Sequence, residues 1–154
     1  MSKKLSFRGR LLDGVQQKIK LSTLNGKTGY KIKKFQTIQV NPGTDSVELI
    51  CKIYSKDQTG SLANSVDFTE GDLLAVAIYN GNAAAFNYPT NETIIFDNEI
   101  FNQDIFIYAG DTIATADTNF YLELETVKLT DVQSTQLAPA SILQVIFYHL
   151  VYLD

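Results

Sequence analysis

From Leu5 to Leu129 apolar and polar residues alternate in short runs, each closed by Gly, Asn, Asp or Pro. A period of two sends successive side chains to opposite faces of an extended chain, so such runs become strands with one buried face. Leu5 and Phe7 alternate with Ser6, Arg8 and Arg10, and Asp13-Gly14 follows as a turn. Val15, Gln17, Ile19 and Leu21 form the next inner face, against Gln16, Lys18 and Lys20. After Asn25-Gly26, Tyr30 and Ile32 face inward and Lys31 and Lys33 outward. Ile38 and Val40 continue that strand to Asn41-Pro42-Gly43. Val47, Leu49, Cys51 and Ile53 alternate with Glu48, Ile50, Lys52 and Tyr54, and Lys56 to Gly60 reads as a loop. Leu73 to Tyr79 is apolar on both parities, which predicts a central strand covered on both sides. Short runs at Phe86 to Tyr88, Thr93 to Phe96 and Ile105 to Tyr108 precede the last strand, Phe120 to Leu129. There Phe120, Leu122 and Leu124 point inward and Tyr121, Glu123 and Glu125 outward.

Eight or nine such strands with regular turns predict an all-β fold, an antiparallel β-sandwich that is jelly-roll-like, with a closed barrel as the alternative. The 154 residues suffice for one domain with a full core. The β-sandwich domain is expected over residues 1–138, and 139–154 form a short apolar C-terminal element, helical or strand. Thr130-Asp131-Val132-Gln133 has the form of a helix-opening capping box. Ile142, Val145, Ile146, His149, Leu150 and Leu153 then fit helical spacing, although Val, Ile, Phe and Tyr favour strands. Both faces of this element are apolar, so it packs on its own sandwich or on a neighbouring subunit, with Ile146, Phe147 and Leu150 as candidate contacts.

Charge is sharply polarised. Residues 1–34 hold ten bases and one acid, and residues 35–154 hold three bases and sixteen acids. Because Arg8, Arg10, Lys18, Lys20, Lys31 and Lys33 share the parity opposite the core, the basic region reads as a sheet surface. Outward Glu48, Glu123 and Glu125 are candidate partners, in the same molecule or in a neighbour. Phosphate contacts would suit such a face, but Tyr30 and Phe35 match no nucleic-acid module, so complementary protein surface is preferred. The N-terminus alternates instead of forming an apolar run, so no secretory leader is expected. The apolar stretch 140–153 falls short of a bilayer span, so no membrane role is expected either.

Little in the chain suggests a reaction. Its one histidine, His149, has no accompanying nucleophile motif, and the lone Cys51 sits in an apolar alternation that implies a buried core thiol. Glu123 and Glu125 stand roughly 7 Å apart along a strand, a spacing that also suits a glycosidase pair. Asp97, Glu99 and Asp104, and separately Asp111 and Asp117, are oxygen-rich groups without EF-hand spacing. No cofactor and no metal are therefore expected. Asn91-Glu92-Thr93 matches a glycosylation acceptor that needs secretion to matter. Tyr54, Tyr79, Phe86 and Tyr88 are aromatics that stack on sugars if exposed and fill the core if not.

Lys4 to Gly9 (KLSFRG) and Ile19 to Gln36 (IKLSTLNGKTGYKIKKFQ), with Ile94 to Tyr108 and Asn119 to Leu137, resemble a group of small virion structural proteins of marine tailed bacteriophages. Residues 141–154 depart from that group's more polar, basic end. The resemblance implies a non-enzymatic, β-rich protein that decorates or cements the capsid, touches the major capsid protein or other virion proteins, and forms homo-oligomers, trimers above all. Its place would be the virion, after assembly in the host cytoplasm. The competing expectation is a receptor- or glycan-binding module of a tail or fibre. On the first reading, head-to-tail contacts join basic and acidic faces around a closed ring.

Overall fold

A computed structural model describes residues 2–21, 27–82, 90–96 and 99–130. Among these, eight strands form: β1 Lys4–Leu11, β2 Val15–Ile19, β3 Thr28–Gln39, β4 Val47–Tyr54, β5 Leu73–Gly81, β6 Thr90–Ile95, β7 Ile105–Asp111 and β8 Thr118–Lys128. They build two sheets, one of three strands in the order β1-β8-β3 and one of five in the order β2-β7-β4-β5-β6. Every strand pair is antiparallel. The chain is an all-β antiparallel sandwich, and its two separate sheets exclude the closed barrel.

The pairings nest. β1 pairs with β8, β2 with β7 and β4 with β5. β3 and β6 meet across the side of the sandwich, where the Asn91 amide donates to the Thr37 carbonyl at 3.3 Å. A long hairpin wrapped over itself produces this order, which is that of a jelly roll. Here β6 keeps its ladder with β5 and so stays in the larger sheet.

The core lies between the sheets. Phe35, Leu122 and Leu124 of the smaller sheet meet Cys51, Ile53, Ile105 and Ile107 of the larger, all buried. Each large aliphatic side chain there contributes about 1.5–3 kcal/mol relative to exposure. Burial pushes the Cys51 thiol well above the ordinary thiol range, which leaves it unreactive. The inner and outer parities expected for β8 are those observed, and β5 is covered on both sides.

Three local expectations are corrected. First, β2 does not join β1 in one sheet: Asp13-Gly14 is a corner that carries the chain into the other layer. Gly14 has φ 73°, its N–H donates to the Ala109 carbonyl at 2.8 Å, and the Asp13 carboxylate accepts the Asp111 N–H at 2.7 Å. As β2 is an edge strand, Val15 and Gln17 of its inner parity are exposed, whereas Ile19 and Leu21 are buried. Second, a β-bulge at Lys33 and Lys34 shifts the parity of β3. Phe35, Thr37 and Gln39 point inward beyond it, and Ile38 is 51% exposed. Third, β4 is buried on both faces because it is the middle strand of five, and its Lys52 is only 2% exposed.

The C-terminal element, with Ile146, Phe147, His149 and Leu150, lies outside the described residues, as do Phe86, Tyr88, Asp97 and the Asn25-Gly26 turn. No helix among the described residues is long and apolar enough to cross a membrane.

Candidate assembly surfaces

The outer face of the smaller sheet is a charge ladder fixed by strand register. Across β1, β8 and β3 one row reads Lys4, Glu125, Lys31, and the next Ser6, Glu123, Lys34. Below these come Arg8, Tyr121, Gln36, and then Arg10, Asn119, Ile38. The bulge adds Lys33 to the same side, because two residues there oppose one on β8. The acidic strand therefore runs between two basic ones. Six cations surround two carboxylates, a surplus of four positive charges.

Half of those cations are engaged within the molecule. Lys4 reaches diagonally to Glu123 at 3.5 Å, Lys33 to Glu125 at 3.4 Å, and Arg10 binds Asp117 at 2.8 Å. A hydrogen bond from Ser2, aided by the ammonium groups of Lys33 and Lys31, holds the Glu125 carboxyl below the ordinary glutamate range. Arg8, Lys31 and Lys34 have no ion-pair partner among the described residues. Glu123 and Glu125 thus serve mainly to space the cations on either side of them. Among the described residues, Glu123 and Glu125 lie on an open sheet face between Lys4, Lys31 and Lys33 instead of flanking a cleft.

Of the sequence-derived contacts, Arg8, Arg10, Lys31, Lys33, Glu123 and Glu125 come together on this face. Lys18 and Lys20 do not, because β2 crosses to the other layer. Lys18 pairs with Asp104 at 3.3 Å, and Asp104 also accepts the Leu21 N–H at 2.7 Å. Lys34, which sequence reasoning left out, joins them through the bulge.

The Asp111 group is structural. Burial opposes the charge of Asp111, but the N–H groups of Ile113, Ala116, Glu48 and Ala114 outweigh it and lower its pKa. With its oxygens so occupied, Asp111 shapes the loop between β7 and β8. Asp117 takes the Arg10 guanidinium and the Asp13 N–H, which fastens the β1–β2 corner to the same loop. No group of three or more His, Cys, Asp or Glu side chains among the described residues is arranged to hold a metal ion.

The outer face of the larger sheet is the reverse of the ladder. Ile50, Tyr54, Val76, Ile78, Phe106 and Tyr108 make it apolar, and residues 55–72 cross it as a strap. At β2, Gln16 donates to Asp57 and accepts the Gln58 N–H, both at 2.8 Å. At β4, Lys52 donates to the Ser65 carbonyl at 2.8 Å, between the Tyr54 and Tyr108 rings at 5.4 and 5.7 Å. At β7, the Tyr108 hydroxyl donates to the Asn64 amide oxygen at 2.7 Å. Gly110 leaves room for that amide, which a Cβ would strike. Beyond β6, Phe68 packs edge-on against Phe96 at 5.2 Å.

Desolvation beneath the strap lowers the Lys52 pKa, and Glu70 partly offsets it. The same burial raises Tyr54 and Tyr108. Tyr54 and Tyr79 are each 4% exposed, so neither is presented to a sugar. Hydrogen bonds from the Thr59 and Gln16 side chains and the Thr59 N–H bring Asp57 down to about 2, and Thr69 similarly lowers Asp67. Asp57 and Asp67 therefore stay ionised further into acid than ordinary aspartates. No protein-family model matches the chain, and neither a curated protein nor a solved structure shows detectable similarity to it.

Proposed function

We propose that this chain is a non-enzymatic virion structural protein of a tailed phage, one that decorates or cements the capsid by docking its three-stranded sheet on an acidic protein surface. One observation carries the reading: Arg8, Lys31 and Lys34 stand on a regular, solvent-facing strand ladder and form no ion pair among the described residues. A flat array of spaced cations suits protein surface, where charge sets orientation and encounter rate and exposed apolar groups add adhesion. The strands that build it, β1, β3 and β8, also carry much of the resemblance to phage virion proteins. Jelly rolls recur in viral capsid domains, a likeness of fold and not of site. The acidic surface would belong to the major capsid protein or another virion component. Burial of Tyr54 and Tyr79 leaves the glycan-binding alternative without its described aromatics.

Co-sedimentation with phage shells tests the reading. The wild type should bind at low salt, and affinity should fall at least about tenfold in Arg8→Glu/Lys34→Glu or at high salt. Equal binding by the double variant would refute it.

A further inference from the structure

The two outer faces of the sandwich are complementary in charge. The strap carries Asp57, Asp67, Glu70 and Asp72 against Lys56 alone, and Lys56 is committed to Asp72 at 3.7 Å. Between Asp67 and Glu70 in the chain, Phe68 is 54% exposed, and nearby Val66 is 37% exposed. The Phe96 ring already holds Phe68, so presenting it costs little conformational entropy. The ladder face offers Arg8 and Lys34, with Ile38 51% exposed in its last row. An aromatic ring among carboxylates meeting spaced cations and an exposed aliphatic combines charge pairing, cation–π attraction and apolar contact.

We infer that copies of this chain associate head to tail, the strap of one seated on the three-stranded sheet of the next. The inference rests on the reading above that the ladder is a docking surface, and it names the partner as a second copy. The geometry also sets the form of the assembly. Outer faces of a two-layer sandwich point in opposite directions, whereas a ring needs two patches inclined toward one side. Heterologous contacts that do not close propagate, so the product is an open stack in place of the closed trimer that the resemblance implies.

Sedimentation velocity over a concentration series tests this with the intact chain. At low salt the wild type should grow steadily with concentration, without a plateau at a fixed size. In about 1 M salt, where the screening length falls to roughly 3 Å, it should sediment as a monomer. Arg8→Glu/Lys34→Glu loses the ladder and Asp67→Lys/Glu70→Lys loses the strap, so each should be monomeric alone. Mixed together, the intact strap of the first meets the intact ladder of the second, and a capped dimer should form. All four positions are at the surface, and circular dichroism verifies that both variants fold. Phe68→Ser provides an independent variant that should also abolish growth.

A fixed closed oligomer, or a mixture that stays monomeric, overturns the stack. A wild type that is monomeric at low salt but binds phage shells through Arg8 and Lys34 overturns the stack and leaves the docking reading intact. Shell binding unaffected by Arg8→Glu/Lys34→Glu removes the docking reading itself.

Discussion

The two outer faces of this sandwich solve the same problem in opposite ways. Both are sheet surfaces over one core, yet one is a bare ladder of Lys, Arg and Glu and the other is apolar and strapped. β1, β8 and β3 place a charged or polar side chain at nearly every outward position, so water covers them adequately. β4, β5 and β7 place Ile50, Tyr54, Val76, Phe106 and Tyr108 outward, and only further chain covers those. The contrast separates what stability requires from what remains for contact. The strap's anchors are consumed in holding the fold, whereas Arg8, Lys31 and Lys34 of the ladder form no ion pair among the described residues.

The comparison is broken most severely from beneath the ladder. Leu122→Ala, at a position fully buried under the charged face, should cost about 2–5 kcal/mol in denaturant unfolding. A cost near zero would mean that the small sheet is not packed as described. Tyr108→Phe should cost about 1 kcal/mol by releasing Asn64, and the loss should be local. Hydrogen exchange should accelerate several-fold around 55–72 while β1, β3 and β8 keep their protection.

A third effect depends on pH. The folded state prefers neutral Lys52, so it binds fewer protons there than the unfolded chain. Stability should therefore rise as pH climbs from the lowered Lys52 value toward the ordinary lysine value of 10.5. Cys51, Tyr54, Tyr79 and Tyr108 act oppositely: burial raises their pKa values on folding, so their contributions are full below the ordinary values of 9.0 for the thiol and 10.0 for the phenols and decline above them. The two effects oppose each other across alkaline pH, and Lys52→Met, which removes the lysine contribution alone, should make measured stability fall more steeply there than in the wild type. The smallest effect belongs to the ladder. Lys33→Ala breaks an exposed pair with Glu125 and should change stability by no more than about 1 kcal/mol.

The sequence made the strands and most inner faces readable because one buried side imposes a period of two. The bulge had a signal that period-two reading overlooked. Ile32 and Phe35 are both apolar but three apart, with two lysines between them, a spacing that requires an extra residue on the outer side. The strap also left traces. Ile50, Tyr54, Phe106 and Tyr108 share one face that needs cover, and residues 55–72 form a long polar segment without alternation. Lys52 read as solvent-facing because alternation reports parity and not what lies above it. The division of β1 and β2 between layers had no local signal. It depends on pairing each with strands about a hundred residues away, which a turn such as Asp13-Gly14 permits in either arrangement. The candidate site was thus half legible: Arg8, Arg10, Lys31, Lys33, Glu123 and Glu125 were foreseen, and the inclusion of Lys4 and Lys34 and the exclusion of Lys18 and Lys20 were not.

The central claim is that the bare ladder is the working surface of the molecule. Lysine footprinting read by mass spectrometry tests it directly, comparing dilute chain in high salt with the assembled form at low salt. Lys31 and Lys34 should lose reactivity on assembly, Lys52 should be protected in both states, and Lys20 should stay reactive. Unchanged reactivity of Lys31 and Lys34 in the assembled form would contradict the account.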